Sequence, residues 1–191
     1  MRFAIHLKNE RLIIKKLIIS NSIYCKRCCA VIPDLTQIQK KLRLQSCEVL
    51  ALFLANYCEL SFPDYFSSLP DFIDHVLYWS QSDVELLDKE IRKEYVRYYE
   101  DYQHHYKRVS KTVDIDERAF RQAWVRLNTR TIFLPTEVIT NDKTDTWALA
   151  PFYDCLNHSS EANISIEITD ERFQIRTNNA IATGSEGRGL K

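Results

Sequence analysis

Between Asp154 and Ser159 the chain sets a carboxylate, a thiol, an amide, an imidazole and a hydroxyl within six residues, directly after the apolar stretch 147–151. Four kinds of chemistry use such groups. Asn157-His158-Ser159 and Asn163-Ile164-Ser165 match the N-x-S glycosylation acceptor, but no secretory leader with a small-residue cleavage site precedes them. Asp154, Cys155 and His158 carry metal-ligating atoms. They lie within five residues, without the helical or hairpin spacing of a four-coordinate site, and no distant ligands complete the set. Cys155 and His158 have the composition of a nucleophile and its base, yet nearness in sequence does not supply hydrogen-bond reach. The fourth reading is structural: Asp154, Asn157 and His158 satisfy backbone groups where a strand turns into a loop. Residue type alone favours this last reading.

Composition removes several function classes. The chain has 191 residues and only three glycines, Gly184, Gly187 and Gly189, where ordinary usage would give about thirteen. A loop that cradles phosphate needs glycine so that backbone N–H groups can approach it, so residues 1–183 hold neither a P-loop nor a dinucleotide-binding loop. Of the six cysteines, Cys25 and Cys28 make a single C-x-x-C with no second ligand pair, which argues for free thiols in a reducing compartment rather than zinc. The longest apolar run, 49–55, is seven residues, too short for a bilayer. Lys15 and Lys16 split the apolar part of the N-terminus, which argues against a secretory signal. Residues 1–43 carry ten Lys/Arg against two Asp/Glu, a local charge of +8 that the rest of the chain cancels. Only two aromatic residues, Phe3 and Tyr24, sit among these cations, too few for a stacking platform, so no direct nucleic-acid binding is expected.

The elements that must position the cluster can be read from periodicity. Residues 12–14 and 17–19 are β-prone, and from Ser46 the chain is apolar on nearly every side, the pattern of a buried helix. Residues 62–70 read as a loop with aromatic anchors and two prolines. Ser82-Asp83-Val84-Glu85 reads as a capping box. The helix it opens would carry Val84, Leu87, Ile91, Tyr95, Tyr98, Tyr99, Tyr102 and Tyr106 on one stripe, with phenols reaching the rim of the core. A further helix fits 116–128, with Phe120, Ala123, Trp124 and Leu127 on one face. After a strand at 131–134, residues 163–168 and 173–177 alternate around a turn at 169–171, the pattern of a hairpin with one buried face. Helices in the middle and strands towards the end make an α+β pattern.

"APFYDCLNHS", followed by "NISIEITDERFQIRT" and "AIATGSE", resembles the C-terminal half of a SET domain in the group of the Rubisco large-subunit lysine methyltransferase, which includes a histidine-methylating branch. "AFRQAWVRLNTRTIFLP" and "FPDYFSSLPDFIDHVLYWSQSDVELL" resemble segments of the same family, in the same order. The resemblance implies a partial SET β-fold interrupted by a helical insertion. Residues 1–45 would be a degenerate basic segment with short strands, 46–130 the insertion, 131–186 the C-terminal half of the SET domain, and 187–191 a glycine tail. It implies S-adenosylmethionine as cofactor, with Asn157 and His158 cupping it, Asp154 shaping the pocket and Arg130 meeting its carboxylate.

The family's opening glycine motif and its closing tyrosine match nothing in this sequence, so no catalytic residue is assigned and the family pattern looks shortened at both ends. The implied activity is transfer of a methyl group to a protein amine, most naturally a lysine of a histone or another protein, in the cytoplasm or nucleus. Weak or no transfer is expected from these 191 residues. The competing expectation is a non-catalytic SET-like interaction module that docks partners through its aromatic helical segment.

Overall fold

The computed structural model describes residues 6–8, 11–14, 18–19, 42–134, 146–150, 153, 156–158, 164–169, 172–178 and 188–189. Asn157 and His158 are described by backbone alone, while Asp154 and Cys155 lie outside the described residues. Two compact units emerge, one from Met1–Pro33 with Arg130–Lys191, the other from Asp34–Thr129. The mixture of helices with small sheets is of the α+β class.

The second unit is helical: α1 (Ser46–Asn56), α2 (Cys58–Ser61), α3 (Pro63–Ser68), a 3₁₀ turn (Val76–Tyr78), α4 (Gln81–Glu85), α5 (Lys89–Ser110) and α6 (Glu117–Arg130), whose last residue belongs to the first unit. Residues 48–54 of α1 are all buried, as its apolar run requires. The exception in polarity is Glu48, wholly buried and held by three donors. Its Oε2 accepts the Gln45 N–H at 2.7 Å. Its Oε1 accepts His105 Nδ1 at 2.8 Å and Arg108 Nε at 2.9 Å. An ionised carboxylate only accepts, so His105 donates through Nδ1. Arg108 also donates to the carbonyl of Arg43, whose φ of 50° is a left-handed conformation costly for a residue with a Cβ. One carboxylate and one guanidinium thus fasten α5 to the start of α1.

Against this network pack the rings of α5 and α6. Tyr102 and Phe120 are fully buried, and Trp124 stacks on the His105 ring with centroids 4.9 Å apart. Arg121 pairs with Glu117 at 2.7 Å and lies over the Tyr102 ring. Of the expected tyrosine stripe, Tyr102 is in the core, Tyr95, Tyr98 and Tyr106 are half-buried and Tyr99 is exposed. Buried Arg126 reaches across the unit to donate twice to the Pro70 carbonyl, at 2.9 and 3.2 Å.

Two local expectations are corrected here. The long helix is opened by Asp88, whose Oδ1 accepts the N–H groups of Glu90 and Ile91 at 2.9 and 3.0 Å. Ser82 lies inside the separate short helix α4, whose box is made by Ser80 and Asp83. A Ser-x-x-acid spacing therefore occurs twice in overlapping frames, and only backbone direction selects one. Residues 62–70 are not simply a loop, because Pro63 occupies the first turn of α3, where its missing N–H has no helical partner to lose.

The first unit is built of short strands. β1 (His6–Lys8), β2 (Arg11–Ile14), β8 (Arg172–Thr177) and β7 (Ile164–Thr169) form one antiparallel sheet in that order. Leu12 pairs with Ile175, so segments from opposite ends of the sequence share this sheet. The β7–β8 hairpin has the expected buried face at Ile164 and Ile175, with Ser165 and Arg176 exposed on the other. Ile166, on the edge strand, is 36% exposed. A second sheet has the order β3 (Ile18–Ile19), β5 (Thr146–Leu149), β4 (Thr131–Leu134), and a third pairs β6 (Asn157–His158) with β9 (Arg188–Gly189) in parallel. Two residues of the stretch read as a glycine tail are therefore strand.

Removing the Glu48 carboxylate leaves the buried His105 imidazole without its acceptor and the half-exposed Arg108 without its partner, so Glu48→Ala should lower the unfolding free energy in urea by about 1–3 kcal/mol. Leu86→Ser, at an 86% exposed site, should change it by less than about 0.5 kcal/mol. Burial by itself would raise the Glu48 pKa, but the His105 and Gln45 hydrogen bonds and the Arg108 charge outweigh it and hold it below the usual 4.5. The unfolded chain then binds this proton more readily than the folded one. The stability Glu48 contributes is present above pH 4.5 and lost as the pH falls through its lowered folded value. Urea melts at stepped pH should show this loss, and Glu48→Gln should remove this component of it.

Candidate functional site

The sheet β3–β5–β4 decides which candidate residues can approach one another. In the β4–β5 ladder Thr131 pairs with Leu149 and Phe133 with Trp147. Arg130 is the last residue of α6 and directly precedes Thr131, the first residue of that ladder. Arg130 is therefore at the junction of α6 and β4, beside the point where the chain leaves β5 for the polar cluster. Its side chain is half-buried.

From Ala150 the chain makes two successive tight turns. The Tyr153 N–H donates to the Ala150 carbonyl at 3.1 Å, and the Leu156 N–H donates to the Tyr153 carbonyl at 3.0 Å. These turns deliver Asn157 and His158 into β6, where Asn157 pairs with Arg188 and His158 with Gly189. The two residues are thus held at backbone level by a parallel partner some thirty positions onward in sequence, which a local strand-to-loop turn would not provide. Of the four residues assigned to the cofactor, Arg130 directly precedes β4, and Asn157 and His158 form β6. The arrangement of Asp154 falls outside the described residues.

Tyr153 was not among the sequence candidates. It is buried, and burial pushes its phenol above the usual value, so the group is neutral. Ala148, Leu149 and Ala150 are fully buried beside it in sequence, giving the approach to the cluster an apolar lining. The available signal was an aromatic residue directly before the acid of the cluster.

Among the described residues no group of three or more His, Cys, Asp or Glu is placed to hold a metal ion, and no helix is long and apolar enough to cross a membrane. Cys47 and Cys58 are free; desolvation raises their thiols to about 11 and about 12 respectively.

No family model matches the chain. Over 81 residues, 42% of its length, it is 30% identical to the ribosomal lysine N-methyltransferase set11 of Schizosaccharomyces pombe. The match spans about a fifth of that relative, 21% of its length. The similarity relates this chain to lysine methyltransferases.

Thiols this far from ionisation have little nucleophilic thiolate at neutral pH. Iodoacetamide at pH 8 should leave Cys47 and Cys58 unmodified in the native protein and alkylate both in urea. Peptide mapping by mass spectrometry reads the outcome.

Proposed function

We propose that this chain carries part of an S-adenosylmethionine-dependent protein-lysine N-methyltransferase with a SET-type cofactor site, of the Rubisco large-subunit methyltransferase group. The observation that carries the reading is the similarity to a lysine methyltransferase over 81 residues. The D-x-x-N-H-S motif at 154–159, the hairpin that follows it, and the place of Arg130 directly before β4, the strand paired with β5, support it.

The residues suit the chemistry of the cofactor. Arg130 offers a planar guanidinium for the carboxylate of the methionine part. Asn157, His158 and Asp154 supply the paired donors and acceptors that an adenine and ribose require. When bound, S-adenosylmethionine supplies a methyl group on a sulfonium. The chain's own contribution is to hold that group in line with the incoming amine and to keep water out. A lysine nucleophile must first lose its proton, and apolar surroundings such as the buried stretch from Ala148 to Ala150 favour the neutral amine. No residue is assigned to catalysis, and methyl transfer by the 191 residues alone is expected to be near background.

Isothermal titration with S-adenosylmethionine tests the reading without relying on turnover. The intact chain should bind it, and Asn157→Ala with His158→Ala should abolish binding. Arg130→Ala should weaken it about 10- to 100-fold, the scale of a hydrogen-bonded charge pair. Absence of binding, or binding indifferent to these substitutions, would defeat the proposal.

A further inference from the structure

The helical unit carries an open groove of about 620 Å³ between the 76–87 segment and α5. Trp79, Leu87, Ile91 and Tyr98 line it, and Glu94, Arg97 and Asp101 stand among the lining residues of α5. Ile91 is 55% and Trp79 38% exposed, so apolar surface is left open to solvent along this face. The Tyr98 hydroxyl is buried and makes no hydrogen bond. Burial pushes this phenol up to about 12; the Trp124 N–H partly opposes the shift without meeting hydrogen-bond geometry. That hydroxyl lies towards the indole of buried Trp124, which does not line the groove, so it belongs to the core and the groove presents only the ring of Tyr98.

Charge identifies the occupant. Residues 44–88 contain eight Asp and Glu and no Lys or Arg. Glu48 is internal, and the other seven are exposed. Asp74, Asp83, Glu85 and Asp88 belong to the same stretch that supplies Trp79 and Leu87 to the groove, and Asp74 accepts the Trp79 indole N–H at 3.3 Å. The cations nearby are outnumbered: between residues 71 and 101, Lys89, Arg92, Lys93 and Arg97 stand against nine Asp and Glu, and three of the four are already engaged. Arg97 pairs with Glu94 at 2.9 Å, Lys93 pairs with Glu90 at 3.1 Å, and the Arg92 guanidinium donates to the carbonyls of Glu85 and Leu87. What remains is an apolar channel with an acidic surround.

We infer that this groove docks a basic, amphipathic protein segment: apolar side chains enter against Trp79, Leu87 and Ile91, and Lys or Arg side chains meet the acidic surround. The inference belongs to the helical unit and stands whether or not the chain transfers methyl groups. Its complement, an acidic amphipathic segment, would meet a net excess of like charge around the groove.

Fluorescence anisotropy on the intact chain tests it with two labelled synthetic peptides of one apolar pattern, one with Lys and one with Glu at the polar positions. The Lys peptide should bind, more weakly as salt is raised, and the Glu peptide should not. Ile91→Ser and Glu94→Lys, both at exposed sites, should each weaken binding at least about tenfold. Leu60→Ser, exposed but outside the groove, should leave it unchanged. Urea melts confirm that the variants remain folded. Equal binding of both peptides, no binding of the Lys peptide, or binding insensitive to Ile91→Ser overturns the proposal. Sedimentation showing concentration-dependent self-association that Ile91→Ser abolishes also overturns it, since a second copy would then be the occupant.

Discussion

The helical unit is organised around a carboxylate held out of water. Glu48 has no exposed surface, so each donor it receives replaces a water it has lost. Three donors from two separated stretches of chain are needed to do so: Gln45 at the start of α1, and His105 and Arg108 one turn apart on α5. A buried charge paired this way contributes little net energy compared with an apolar core of the same volume, but it tolerates no alternative register. If α5 slid by one turn, Glu48 would keep the Gln45 N–H and lose both side-chain donors. The position of α5 fixed by that pairing then determines where Tyr102, Trp124 and the phenols of the groove come to lie.

In the β-unit the constraint is ladder register. The β4–β5 pairing sets Thr131, the residue after Arg130, opposite Leu149, and two turns later the chain enters β6 with Asn157 and His158. A shift of one residue in that ladder would reverse which face each side chain occupies. The cofactor reading therefore depends on two short pairings: β4, entered directly from Arg130, with β5, and β6 with β9, which fixes the strand that bears the amide and imidazole. Cys155, the most reactive group in the cluster by type, has no part in this reading.

Local features were legible where one physical signal dominated. The apolar run 49–55 of α1, the spacing of Phe120, Ala123, Trp124 and Leu127 on α6, and the alternation of the β7–β8 hairpin each carry one signal and no competitor. Reading failed where signals overlapped. Two acids stand at capping distance from two serines in the 80–85 stretch, and Pro63 serves equally as a breaker or as a first helical residue. Tyr153 was passed over because nothing in its type shows that its ring is buried; burial depends on β5 lying beside β4.

The sequence by itself determined the exclusions and the motif. Three late glycines rule phosphate-cradling loops out of residues 1–183, and the cluster at 154–159 with its hairpin carries the resemblance to a methyltransferase. These follow from residue type and short-range spacing, which need no folding to be read. Only the tertiary structure decided that Glu48 is answered by His105 and Arg108, that β2 closes onto β8, that Asn157 and His158 pair with Arg188 and Gly189, and that an apolar groove lies beside a stretch without cations. Each joins groups far apart in sequence. Such contacts follow from how the whole chain buries its apolar surface while pairing its polar groups, a condition no local window contains.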